Sequence, residues 1–174
     1  DASSKPICLY NVPGRTAVNL QPGVTLQLAE HPNVMGIKEA SGDLAQIMQI
    51  LQGRPDDFSV LSGDDWLTLA VIAAGGDGLV SVASNELPGQ MRAMVALLLS
   101  GEFEKAREWH YRLLPLMEAN FLESNPAPVK AALALAGSAI LVNRRAAKAE
   151  REHPPKGAFA AVVRPSTLRV STLR

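Results

Sequence analysis

Lys38 closes a short apolar run, Val34 to Ile37, and is followed by Glu39-Ala40-Ser41-Gly42-Asp43, a turn that leads into a helical pattern. An amine at the C-terminal end of a buried strand is costly to keep charged, because burial disfavours the ammonium form. The free amine can attack a carbonyl carbon and form a Schiff base. An isolated lysine in such a place ordinarily snorkels to solvent. Here it has company. Tyr10-Asn11 ends the apolar run Pro6 to Val12, Gly63-Asp64-Asp65 follows Phe58 to Leu61, and Val80-Ser81 lies within Gly78 to Val82. A phenol, an amine and a polar glycine turn at neighbouring strand ends suit carbonyl chemistry. Read singly, Tyr10 is more readily a core tyrosine with a satisfied hydroxyl, and Arg15 a solvated loop charge.

The elements that must position these residues alternate along the chain. After the first strand, Pro13-Gly14 turns the backbone, and Gln21 to Glu30 reads as a helix closed by His31-Pro32. The strand Val34 to Lys38 comes next, and Asp43 caps a helix carrying Leu44, Ile47, Met48 and Leu51. Gly53 and Pro55 stop that helix before the strand Phe58 to Leu61. A helix over Trp66 to Ala74, the turn Gly75-Gly76-Asp77, the strand Gly78 to Val82 and a helix over Pro88 to Ser100 follow. Strand and helix recurring every ~20 to 30 residues describe right-handed β-α units with parallel strands. A closed β/α barrel has eight such strands and about 250 residues. Residues 1–100 supply four strands, and the expected fold is half a barrel of this α/β class. Residues 101–137 then read as helices, over Glu102 to Leu122 and Pro126 to Ala136. The stretch 138–174, with Arg144, Arg145, Lys148 and Arg151 among its charges, reads as a basic, poorly ordered tail.

Composition narrows the class. The 174 residues hold 17 basic and 17 acidic side chains, so no charge excess argues for nucleic acid or an anionic membrane. The basic tail lacks the aromatic platforms of a nucleic-acid arm. No apolar run approaches the roughly 20 residues that span a bilayer. Asp1 to Pro6 does not have a signal peptide's layout. Cys8 is the single cysteine and is expected to be a small core residue. Without a disulfide framework or a Cys/His cluster, a cytoplasmic, metal-free protein with no cofactor is expected.

Four motifs in order carry a family resemblance: Tyr10-Asn-Val-Pro-Gly-Arg-Thr16, Gly36-Ile-Lys-Glu-Ala-Ser-Gly-Asp43, Leu61-Ser-Gly-Asp-Asp65 and Gly78-Leu-Val-Ser-Val82. Phe121 to Lys130 resembles a fifth. From about residue 1 to 136 the chain resembles the dihydrodipicolinate synthase family, within the pyruvate-dependent class I aldolases. The resemblance implies condensation of pyruvate with aspartate 4-semialdehyde, on the route to diaminopimelate and lysine, by a homo-oligomer, usually a tetramer. It implies that Lys38 forms the Schiff base, that Tyr10 relays protons, and that Arg15 holds the semialdehyde carboxylate. It also implies that the Val80 carbonyl contacts the pyruvate-derived group and that Gly63 lines the cleft. Arg15 and Glu39 favour this branch over the N-acetylneuraminate lyases; the keto-sugar-acid aldolases are the runner-up, and an inactive half-barrel scaffold is the remaining alternative.

Parts of the family pattern have no counterpart in the sequence. The Gly-Thr-Thr-Gly-Glu turn for the pyruvate carboxylate, the relay threonine and the tyrosine that reaches a neighbouring subunit belong to the family's first half. The final helices do not continue past about Gly137. A half-barrel is expected to leave both sheet edges unpaired and its inner face open. The expectation is therefore an aldolase-type lyase whose turnover on these 174 residues alone is impaired.

Overall fold

The computed structural model describes residues 4–137 and the backbone of residues 161–163. Four parallel strands run in sequence order: β1 (Ile7–Asn11), β2 (Val34–Glu39), β3 (Ser59–Ser62) and β4 (Gly78–Val80). Between them lie α1 (Pro13–Thr16), α2 (Pro22–Ala29), α3 (Leu44–Gly53) and α4 (Thr68–Ala73). Then come α5 (Pro88–Leu99), α6 (Phe103–Ala119) and α7 (Ala127–Leu135). The expected four β-α units followed by helices are all present.

Three of the helices begin where their residue chemistry favours it. Asp43 caps α3 by accepting a hydrogen bond from the Gln46 amide at 3.0 Å, a contact worth about 1 kcal/mol. Pro22 and Pro88 open α2 and α5, where the missing amide hydrogen costs nothing.

The sheet's pleat assigns every strand residue to a face. Register pairs Tyr10 with Lys38, Lys38 with Leu61, and Leu61 with Gly78, so these four share the inner face. Leu9, Ile37 and Val60 pair on the outer face. There Ile37 and Val60 pack with Ile47, Ile50, Phe58 and Val71 in one core cluster. A second cluster joins Leu79 to Met91, Met94, Leu98 and Met117 from α5 and α6. Full burial of such side chains stabilises by about 1.5–3 kcal/mol each, which anchors the helices to the back of the sheet. Gly36 lets β2 and β3 approach closely, since a Cβ there would lie 2.4 Å from the Ser59 carbonyl oxygen.

Three expectations change. Cys8 is exposed rather than a core residue, because it shares the inner face with Tyr10 and Lys38, away from the packed clusters. β4 ends at Val80, not Val82, because the Val82 and Ala83 amides turn to the Asp65 carboxyl instead of continuing the ladder. The edge beyond β4 is occupied: β5 (Ala161–Val163) pairs with it antiparallel. The rest of the basic stretch lies outside the described residues.

Candidate active site

Parallel strands bring their C-terminal ends to one side, and the cleft opens there. It has a volume of about 330 Å³ and is lined by Tyr10 and Val12 after β1, Lys38 and Ala40 after β2, and Gly63 and Asp64 after β3. Arg15 on α1, Val82 beyond β4, and Phe121 and Asn125 beyond α6 complete the wall.

Lys38 and Tyr10 are direct register partners on adjacent strands. The Lys38 Nζ sits 4.3 Å from the centroid of the Tyr10 ring, over the negative face of the aromatic system. Lys38 is half-buried, while Tyr10 is 50% exposed, so a solute can reach both. Arg15 follows the Pro13-Gly14 turn on the single helical turn α1, and its Nη2 donates to the Asn125 carbonyl at 3.5 Å. Gly63 sits where β3 leaves the sheet. Its amide donates to the Glu39 carbonyl at 2.7 Å, and a Cβ there would lie 2.6 Å from that of Ala40. Only a hydrogen fits this point of the wall.

Tyr10, Lys38, Arg15 and Gly63 thus meet in one cleft. Val80 does not join them there. It lies on the inner face one pleat beyond the row of Lys38, and it is Val82 that lines the cleft.

Two carboxyl groups shape the electrostatics. Burial raises the Asp64 carboxyl above the ordinary range, repulsion from Asp65 and Glu39 raises it further, and attraction by Lys38 opposes the rise. Burial also raises Asp65, against hydrogen bonds from the Ala83 and Val82 amides and the pull of Lys38. In the sequence both lie in a polar turn that carries no signal of a role. Phe121 and Asn125 lie in the fifth motif, and no local pattern marks either as a cleft residue. Phe121 is held edge-on against Trp66, with centroids 4.7 Å apart. The Asn125 Nδ2 is buried without a hydrogen-bond partner among the described residues, leaving a donor at the cleft wall. Among the described residues no group of three or more His, Cys, Asp or Glu side chains could hold a metal ion.

An electrophile of a few carbon atoms fits this volume, with an amine and a phenol on one wall and a guanidinium on another. Known proteins share the arrangement's framework. The model of the dihydrodipicolinate synthetase family matches residues 1–158. The 4-hydroxy-tetrahydrodipicolinate synthase of Koribacter versatilis is 55% identical over 137 residues, 79% of this chain and 46% of the relative. That of Archaeoglobus fulgidus is 51% identical over 136 residues, 78% of this chain and 47% of the relative. Among solved structures, the dihydrodipicolinate synthase of Thermotoga maritima superposes with a TM-score of 0.77 at 47% identity, over 79% of this chain and 48% of that one. A structure described as a monomeric dihydrodipicolinate synthase variant gives 0.75 at 48% identity, over 78% and 47%. The chain therefore spans about half the length of its relatives, and its four β-α units are of the (β/α)8 barrel type. With the family model spanning most of its length and the strand-end motifs gathered at one cleft, this chain belongs to the dihydrodipicolinate synthetase family.

Proposed function

We propose that the cleft performs Schiff-base aldol chemistry, the condensation of pyruvate with aspartate 4-semialdehyde. The observation that supports it most directly is the Lys38 amine lying against the Tyr10 ring in a cleft that also holds Arg15.

Each residue has a role in this reading. The free amine of Lys38 bonds to the carbonyl carbon of pyruvate, and the carbonyl oxygen leaves as water. The protonated imine is an electron sink, so the pyruvate methyl group loses a proton and becomes an enamine nucleophile. That carbon attacks the aldehyde, and hydrolysis of the resulting imine frees Lys38. Tyr10 supplies and removes protons during imine formation. Arg15 grips the aldehyde's carboxylate with two parallel N–H donors, a geometry that lysine lacks. Gly63 leaves room for the pyruvate-derived group, and Val80, which lies beside the cleft on the same sheet face without lining it, is read as offering its carbonyl from there.

The reading extends to the assembly and to the reach of this chain. Homo-oligomerisation, which the resemblance implies, is part of it. Turnover by the 174 residues alone is expected to be low, since the carboxylate-binding turn and relay threonine implied by the resemblance are not among its motifs. Among the described residues no helix is long and apolar enough to cross a membrane.

Trapping tests the proposal. Incubation with pyruvate, reduction with borohydride and peptide mass spectrometry should place the adduct on Lys38, and Lys38→Ala should abolish it. A folded protein that yields no adduct at Lys38 overturns the reading, whatever its overall turnover.

A further inference from the structure

Tyr10 and Lys38 face the cleft, and the residues that follow them, Asn11 and Glu39, face the opposite way. Both are almost completely buried, each 1% exposed, behind the sheet. They are also register partners. The Asn11 Nδ2 donates to both Glu39 carboxyl oxygens, at 3.2 and 3.0 Å. Glu39 Oε1 accepts from the Ser41 amide at 2.7 Å, and Oε2 accepts from the Gln46 Nε2 at 3.2 Å. The Asn11 Oδ1 accepts from the Leu20 amide at 3.0 Å. Every polar atom of the Asn11 and Glu39 side chains is therefore partnered, in a network that ties β1 to β2, to α3 and to the segment before α2.

None of the hydrogen bonds of these two side chains goes to a residue lining the cleft, so substrate is not what they serve. Their position suggests another task. β1 is an edge strand among the described residues, paired with β2 alone, and its register already shifts between Ile7 and Cys8. Such a strand is weakly held, and a slip of one residue would move Tyr10 from the inner to the outer face. Buried, fully satisfied polar contacts specify one arrangement and penalise the others.

We propose that Glu39, through Asn11, is the positioning residue that holds Tyr10 beside Lys38 for proton transfer. The inference rests on the Schiff-base reading of Lys38. Glu39 acts from the far side of the sheet: it fixes β1 against β2 one residue beyond the reacting pair. A loss of that tie separates the phenol from the amine while the packed clusters behind the sheet remain.

Kinetics of borohydride trapping with pyruvate distinguish the outcomes. Glu39→Gln places an amide against the donors Asn11 and Ser41, and should slow adduct formation at Lys38 about ten- to a hundredfold. Tyr10→Phe should slow it as well. If Glu39 acts by placing Tyr10, the double variant is about as slow as the slower single one, because the second change has nothing left to remove. Independent effects that multiply overturn the inference, as does a folded Glu39→Gln that traps at the wild-type rate. Asn11→Ala leaves Glu39 held by Ser41 and Gln46, and it carries the same cycle should Glu39→Gln not fold. Absence of any wild-type adduct refutes the Schiff-base reading itself, a separate result from the two above.

Discussion

The carboxyl of Asp65 bridges two strand ends, with its Oδ2 accepting from the backbone amides of Val82 at 3.0 Å and Ala83 at 2.9 Å. This relationship ends β4, turns the chain into the next helical segment, and sets Val82 against the cleft. Asp65 is 1% exposed, and its other oxygen has no partner among the described residues. Asp65→Ala should cost about 3 kcal/mol in urea unfolding, since it strands two amide donors, at least one of them buried. Asp65→Asn keeps one acceptor oxygen and should cost less.

The raised carboxyl of Asp65 also sets a pH dependence. A carboxyl lifted above its unfolded value near 3.8 binds a proton more tightly in the folded state. As pH rises from about 3.8 through the folded value, this group's contribution to stability falls. In Asp65→Asn that part of the profile should be missing. Unfolding midpoints measured from pH 3.5 upward should diverge between the two proteins, and parallel curves would contradict the assignment.

His110 works in the opposite direction. It lies buried on α6, ring edge to face with Tyr111 at 5.3 Å, and its Nδ1 has no hydrogen-bond partner among the described residues. Burial lowers its proton affinity below the ordinary value of 6.5. Below about pH 6.5 the unfolded chain therefore takes up a proton that the folded chain resists, and stability drops as pH falls toward the lowered value. His110→Leu should remove that acid-side loss. Thermal melts at pH 5 and pH 7.5 check it.

Asp77 is buried in the turn before β4 and is paired with Arg54 at the end of α3. Its carboxyl also accepts from the Val60 amide at 2.9 Å, while Arg54 donates to the carbonyls of Phe58 and Gly75, each at 3.0 Å. Asp77→Ala removes one partner and leaves a guanidinium half-enclosed. The expected loss is about 3 kcal/mol, at the lower end for broken buried pairs because Arg54 retains some solvent. An unfolding midpoint near that of the wild type would show the pair to be dispensable.

Gly63 allows no side chain at the cleft. With a Cβ 2.6 Å from that of Ala40 and 2.9 Å from the Glu39 carbonyl oxygen, Gly63→Ala must push the β2 and β3 ends apart. A destabilisation of about 1–3 kcal/mol should follow. Trapping of pyruvate at Lys38 should slow about tenfold, as the strand end carrying the amine is displaced. Unchanged trapping would mean the wall yields without moving Lys38.

How much of this was legible in the sequence follows from the range of each interaction. Apolar runs ended by Pro and Gly, a helical period after Asp43, and Pro at helix starts are local features, and the four parallel β-α units followed from them. Parallel connection alone puts all strand ends on one side, so Tyr10, Lys38 and Gly63 could be assigned to one cleft before any coordinates. Arg15 follows β1 so closely that it had to lie nearby. The buried partners of Glu39, Asn11 on β1 and Gln46 on α3, were not evident.

The tertiary structure decided what depends on distant segments. Phe121 and Asn125 reach the cleft only because α6 packs on α5 and returns the chain to the strand ends; the Asn125 contact with Arg15 spans 110 residues. Cys8 looked like core because its neighbours are apolar, but its exposure is fixed by what covers the inner face, which no local pattern encodes. β4 stopped short because Asp65, seventeen residues before Val82 in sequence, outcompetes the ladder for that amide. β5 pairs with β4 from still farther along the chain. Local periodicity determines which residues can share an element and a face, whereas the partner each exposed group finds is settled only when remote segments close on one another.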